Sequence, residues 1–170
     1  MNAALARWNR LSAEEAGKEI LACCGSTAWA GELAARRPFN DDASLMAASD
    51  EVWWSLATAD WLEAFSQHPR IGERKAPQCT SAQSKAWSAQ EQARVIDAQE
   101  ALRVALEEGN REYERRFDRV FIVCATGKSA AEILEILRTR LRNDDVTEWQ
   151  LSAKEQQKIT RIRLKKWLSE

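Results

Sequence analysis

The sequence predicts an all-α fold, a single compact domain of about seven to nine helices with no significant sheet. Three observations carry that expectation. Only six glycines and three prolines punctuate 170 residues. Ala, Leu, Glu, Lys, Arg and Gln, the strong helix formers, dominate what lies between them. A Ser or Asp followed three residues later by Glu recurs at the starts of periodic stretches, which is the spacing of a helix capping box. No internal repeat, low-complexity tract or linker interrupts the pattern.

The elements follow in order. Ser12 and Glu15 have the capping-box spacing and open a helix to about Cys24, before Gly25. A second helix covers about Ser26 to Arg37 and stops at Pro38. Asp41 or Asp42 caps a third, which runs through Trp53 and Trp54. A fourth, around Thr58 to Gln67, ends where Pro69 disfavours helical geometry at His68. The stretch from His68 to about Ser81 holds two prolines and one glycine and is the longest irregular segment. Segments of that kind inside compact domains often carry function. Helix returns around Ser88, and a long helix covers roughly Asp97 to Phe117 with Leu102, Leu106, Tyr113 and Phe117 on its apolar side. FIVCA, residues 121–125, has strand-like composition but is too isolated to build a sheet, so it reads as a buried helix end or an extended segment. Ser129 and Glu132 open a helix to about Arg142. Asp145 and Glu148 repeat the spacing for a last helix that ends near Leu168.

Composition narrows the function classes. Forty-five per cent apolar and 30% charged residues is the balance of a soluble globular protein. A formal charge of −1 supplies no electrostatic argument for nucleic acid. No apolar run approaches the ~20 residues of a membrane span, and MNAALARWNR lacks the apolar core of a signal peptide. A cytoplasmic protein with no membrane partner is the expectation. Cys23, Cys24, Cys79 and Cys124 form no C-x-x-C pair, and with one histidine a four-ligand zinc site is poorly supplied. The cysteines read as small apolar residues in a reducing compartment, and no metal site is expected.

The only histidine lies in QHPRIGERKAP, residues 67–77. As a residue at a helix C-terminus it interacts favourably with the helix dipole. It also begins the long segment, its backbone is restrained by Pro69, and an imidazole exchanges protons near neutral pH. Both readings stand on the residues alone. In WSAQEQA, Ser88 and Glu91 have capping-box spacing. On a helix, Ser88, Glu91 and Gln92 also share one face, presenting a hydroxyl, a carboxylate and an amide suited to a small polar heterocycle. In the last helix Ile159, Ile162, Leu164, Trp167 and Leu168 define an apolar arc, with Arg163 near its middle, Arg161 at its margin and Lys166 near its edge. An inward arginine requires an acid or an anionic ligand, unless it snorkels outward. The eight tryptophans fall mostly at helical spacing with other apolar residues, as core packing does. No phosphate-binding Gly-rich loop or serine nucleophile motif is present.

Taken together, HPRIG, S-x-x-E-Q, N-x-x-Y-x-x-x-F, FIVCA and the terminal KI-x-x-I-R-L resemble the 2-oxo-4-hydroxy-4-carboxy-5-ureidoimidazoline (OHCU) decarboxylases of purine degradation. The motifs occur in the family's order over about residues 60–168. The resemblance implies an all-helical, cofactor-free carboxy-lyase, usually a homodimer, that makes (S)-allantoin from OHCU. It implies catalytic roles for His68 and Glu91. It implies substrate binding by Pro69, by the run Ser88, Ala89, Gln90, Glu91 and Gln92, by Phe121, Ile122, Val123, Cys124 and Ala125, and by Arg163. Arg70 and Arg74 would steer an anionic substrate. Three positions depart from the family pattern: Glu73 stands where many members have glycine or another small residue, Asp118 replaces the usual glycine after the phenylalanine, and Arg94 follows EQA where glycine is common. A helical partner-binding module without catalytic activity is the competing reading, with each feature explained as a cap or an internal pair.

Overall fold

A computed structural model describes residues 2–72, 80–93 and 100–170. Among them are nine helices: α1 (Ala3–Trp8), α2 (Ala13–Cys24), α3 (Thr27–Ala35), α4 (Asp42–Ser55), α5 (Thr58–Ser66), α6 (Ala82–Glu91), α7 (Glu100–Phe117), α8 (Ala130–Arg140) and α9 (Asp145–Ser169). No strand occurs among the described residues, so the all-α expectation holds. The chain divides into two compact units, one of residues 1–64 with 157–170 and one of residues 65–156. The expected start of the long helix at Asp97 lies outside the described residues, as do Cys79, Glu73, Arg74 and Arg94.

Most boundaries follow from caps. Ser12 and Glu15 make a reciprocal capping box on α2, and Gly25, with φ of 90°, closes it. Ser26 caps α3, Asp41 caps α4, and Ser129 with Glu132 makes the box on α8. Each satisfies N–H groups that the first turn leaves without a helical partner. Two expected caps are wrong. Helix α6 does not start at Ser88; it starts at Ala82, with Ser81 accepting the Ser84 N–H. Helix α9 is capped by Asp144, whose carboxylate accepts the Thr147 N–H at 2.9 Å. Asp145 instead pairs with Arg119 at 2.8 Å, and Glu148 is fully buried in an ion pair. Equal spacing of Ser or Asp and Glu cannot distinguish a cap from a side chain that points into the core. The short helix α1 was not expected.

In the first unit the tryptophans pack as core. Trp8, Trp29, Trp53, Trp61 and Trp167 are buried, and Trp54 stays exposed. Trp8 meets Trp167 edge to face at 5.7 Å. Each buried indole N–H needs an acceptor. Trp8 donates to the Ala16 carbonyl at 3.0 Å, Trp29 to Ser49 at 3.3 Å, Trp61 to Trp53 at 2.9 Å, and Trp167 to the Glu19 carboxylate at 3.0 Å.

The second unit is built on the packing of α7 against α8. Its core gathers Ile71, Leu106, Tyr113, Phe117, Phe121, Val123, Ala125, Ile133, Leu134 and Leu137. Gly109 lets the two helices approach: a Cβ there would lie 2.6 Å from Leu137 Cδ2. Asp118 ends α7 with φ of 53° and its N–H on the Glu114 carbonyl. This is the left-handed cap position that glycine fills most cheaply, and aspartate is among the few other residues that tolerate it.

Candidate active site

The second unit contains every candidate residue except Arg163. Helix α5 ends at Ser66, and the turn that follows puts His68 and Pro69 in buried positions. His68 is 9% exposed, and its Nε2 lies 2.7 Å from Oε1 of Gln156. Gln156 is itself fully buried on α9. The turn continues through Ile71 and Gly72, both tied to helices. Asn110 Nδ2 donates to the Ile71 carbonyl at 2.8 Å. The Gly72 N–H donates to Gln92 Oε1 at 3.1 Å, with Gly72 at φ of 87°. The asparagine of N-x-x-Y-x-x-x-F therefore positions the histidine turn.

Helix α6 presents Ser84, Ser88 and Gln92 to the interior, with exposures of 5%, 3% and 6%. These positions are four residues apart, so they form one row on the helix. The shared polar face expected for Ser88 and Gln92 exists. Glu91 lies half-buried on its flank, and Ala89 and Gln90 are exposed. Gln92 Oε1 is engaged by Gly72, which directs its amide N–H groups to other acceptors. The end of α6 and the histidine turn are thus joined by a direct bond. Arg70, the described member of the proposed steering pair, forms an ion pair with Glu114 at 2.5 Å.

Phe121 to Ala125 is an extended, entirely buried segment, not a helix end. Phe121, Val123 and Ala125 face the unit's core, in the alternation that extended backbone imposes. With no strand among the described residues to pair with, the backbone polar groups need side-chain partners. Arg140 Nη1 donates to the Ile122 carbonyl at 2.5 Å. The Cys124 N–H donates to Glu155 Oε2 at 2.8 Å, and Lys128 Nζ donates to the Cys124 carbonyl at 2.6 Å. Glu91 is close enough for its charge to act on the Cys124 thiol. Burial is the larger cause of that thiol's raised pKa.

Arg140 is held in turn. Its Nε and Nη2 donate to Glu148 Oε1, the Nε at 2.7 Å, and Nη2 also reaches Ser152 Oγ at 2.9 Å. Tyr113 donates its hydroxyl proton to Glu148 at 2.5 Å, and Asn143 Nδ2 donates to the other carboxylate oxygen at 2.9 Å. Burial is the first cause pushing the Tyr113 phenol up to about 12; its bond to Glu148 adds to that, and the Arg140 charge opposes it. This network fixes the extended segment from behind.

Arg163 belongs to the first unit. It is 1% exposed, as its place in the apolar arc predicted, and its Nη1 donates to the Ala22 carbonyl at 3.4 Å. Its neighbour Arg161 pairs with Asp50 at 2.7 Å. Cys23, Cys24 and Cys124 are buried and outside any disulfide. Burial drives the Cys24 thiol up to about 12 and raises Cys23 as well. They are packing residues, as expected from the sequence. Among the described residues no group of three or more His, Cys, Asp or Glu side chains is arranged to hold a metal ion, and no helix is long and apolar enough to cross a membrane.

Sequence reasoning missed Gln156, Glu155, Ser84 and Arg140. The signal for the α9 residues was available. Glu148, Ser152, Gln156 and Thr160 recur every four residues and are all buried, at 0%, 0%, 0% and 3%. A polar row of that spacing on one helix face is as informative as an apolar one, but polar residues are read as solvent-facing by default.

Among the described residues the protein is helical, with its buried histidine bonded to a buried glutamine and a buried segment whose peptide groups are held by side chains. The family model for OHCU decarboxylase matches residues 9–165, and the chain belongs to that family. It is 32% identical over 149 residues to the uric acid degradation bifunctional protein TTL of Arabidopsis thaliana, covering 87% of this chain and 46% of that one. The chain thus spans less than half of that relative. It is 31% identical over 137 residues to the 2-oxo-4-hydroxy-4-carboxy-5-ureidoimidazoline decarboxylase of Amia calva, covering 80% of this chain and 74% of the other. Among solved structures it is similar to an OHCU decarboxylase crystallised in the presence of (S)-allantoin, with a TM-score of 0.76 and 29% identity over 89% of this chain and 98% of that one. An (S)-allantoin synthase shares the fold at a TM-score of 0.69 and 15% identity, over 96% of this chain and 53% of its own. Family membership disfavours a binding module without catalytic activity.

Proposed function

We propose that this chain is a cofactor-independent carboxy-lyase that converts OHCU to (S)-allantoin in urate degradation, acting in the cytoplasm as a homodimer, with residues 1–170 as one functional domain. The observation that carries the reading is the bond from the Gly72 N–H to Gln92 Oε1, which ties the turn after the buried His68 to the end of the helix that carries the buried Ser88, in a chain of this family.

The chemistry fits such a set. In OHCU, C4 carries a carboxylate and a hydroxyl, next to a C5=N double bond. When the C4–carboxylate bond breaks, its electron pair forms C4=C5 and the C5=N pair moves onto nitrogen, which takes a proton. The substrate supplies its own electron sink. The resulting C4 enol gives up its hydroxyl proton and becomes the ketone, while C5 receives a proton on one face. Overall the carboxylate leaves as carbon dioxide and one proton is taken up. That requires one positioned proton carrier and groups that hold the ring, and positioned acid–base groups contribute typically ~10²–10⁴ in rate.

His68 is the proton carrier in this reading, acting on the C4 hydroxyl or on C5. Glu91 orients the imidazole or the ring nitrogens and disfavours the substrate carboxylate by like charge. Ser88 and Gln92 hydrogen-bond the ureido or ring amides, with Pro69, Ala89 and Gln90 in the adjoining contact segments. Backbone groups of Phe121 to Ala125 read the planar ureido edge, and Arg163 binds an anionic or carbonyl oxygen. The test is circular dichroism during coupled turnover, with urate oxidase and hydroxyisourate hydrolase generating the substrate before this protein is added. An (S)-allantoin signal should grow rapidly and be lost in His68→Asn. A trace that follows spontaneous, racemic decay refutes the reading, and full activity with unchanged enantiomeric excess in His68→Asn removes the histidine from it.

A further inference from the structure

We infer that Gln156 is a positioning residue that fixes the tautomer of His68, holding the proton on Nε2 so that proton exchange with substrate runs through Nδ1. The inference rests on the decarboxylase reading for its catalytic consequence, but the tautomer itself follows from geometry. The contact is 2.7 Å from His68 Nε2 to the amide oxygen of Gln156. A carbonyl oxygen only accepts, so Nε2 must carry hydrogen and, in the neutral ring, Nδ1 carries the lone pair. An amide has no proton to lose and no free carboxylate to gain one. The Nε2 proton therefore stays in place while Nδ1 takes a proton from a substrate hydroxyl and returns it to carbon.

Burial supports a dedicated role. Gln156 is 0% exposed on α9 and His68 only 9%, and an apolar side chain would fill the same volume without the cost of burying an amide. Its neighbour Glu155 takes the Cys124 N–H at 2.8 Å. Two successive residues of one helix thus hold the histidine and the extended segment in a common frame. Side chains that orient a ligating histidine at metal sites are worth about 10–100-fold when removed, and the same order is expected here.

The chain has a single histidine, so long-range ¹H–¹⁵N correlation spectra of the ¹⁵N-labelled protein show one imidazole. At a pH where that imidazole is neutral, the wild type should give a pyrrole-type Nε2 and a pyridine-type Nδ1. Gln156→Glu keeps an acceptor at the same place and should retain that pattern. Gln156→Leu should give mixed tautomers, with kcat about 10–100-fold lower and KM little changed. A pyrrole-type Nδ1 in the wild type, or an unchanged pattern in Gln156→Leu, overturns the inference and leaves the decarboxylase reading standing. The Nε2–H tautomer in a wild-type protein that makes no (S)-allantoin refutes that reading, and with it the catalytic role of Gln156.

Discussion

Replacing Arg140 with methionine should be among the most damaging single changes in the second unit. Arg140 and Glu148 have side-chain exposures of 6% and 0%, so water screens neither. The substitution removes both guanidinium bonds to Glu148 together with those to Ser152 and the Ile122 carbonyl. It also removes the cation from over the Phe121 ring, 4.7 Å from its centroid. Among the described residues, Glu148 would remain buried with only the Tyr113 hydroxyl and Asn143 amide to solvate it. Breaking one side of a buried ion pair costs about 3–5 kcal/mol, and the two surviving donors place the expected loss near 3 kcal/mol. For a chain of this size that lowers Tm by about 10 °C. Urea melts followed by far-ultraviolet circular dichroism measure the loss, and the double variant Arg140→Met, Glu148→Met supplies the control. Removing both charges should recover most of the stability, because the single variant's cost lies mainly in the stranded carboxylate. A loss below about 1 kcal/mol in the single variant, or a double variant as unstable as the sum of its parts, would show that the pair does not anchor this unit.

Two further outcomes follow from the same unit. Tyr113 is the only tyrosine and its phenol is pushed up to about 12, so absorbance at ~295 nm should titrate near 12 in the native protein and near 10 in urea. The folded phenol keeps its proton to higher pH than the unfolded one. Its contribution is therefore complete below about pH 10 and is lost as pH rises toward 12, which makes the alkaline loss of stability shallower in Tyr113→Phe; a native titration near 10 would contradict the burial. Gly109→Ala should lower stability by up to about 2 kcal/mol, because overpacking against Leu137 costs about 1–3 kcal/mol and helix propensity returns only ~1 kcal/mol. A raised Tm in that variant would mean that α7 and α8 are not held at the separation described.

Local chemistry was legible because it acts over three or four residues. Ser12 with Glu15 and Ser129 with Glu132 specify their helix starts through bonds that no distant residue alters, and Pro69 ends α5 for a steric reason contained in the dipeptide. Arg163 was readable as inward-facing because it stands near the middle of an apolar arc, with Arg161 and Lys166 only at its borders. The motif order likewise marked His68, Ser88, Glu91, Gln92 and the FIVCA segment as candidates.

What tertiary structure decided is where polar groups find partners. Ser88 and Glu148 have the same spacing to a neighbour as true caps do, yet one lies in the last turn of α6 and the other beneath Arg140. Nothing local tells a serine or glutamate whether its acceptor is its own first turn or a guanidinium from another helix. The extended path of Phe121 to Ala125 needs Arg140, Lys128 and Glu155 to satisfy its peptides. The orientation of the only histidine needs Gln156, 88 residues away in sequence. Hydrogen bonds across such separations are made only after helices pack, so sequence determined which groups were available and packing determined which of them met.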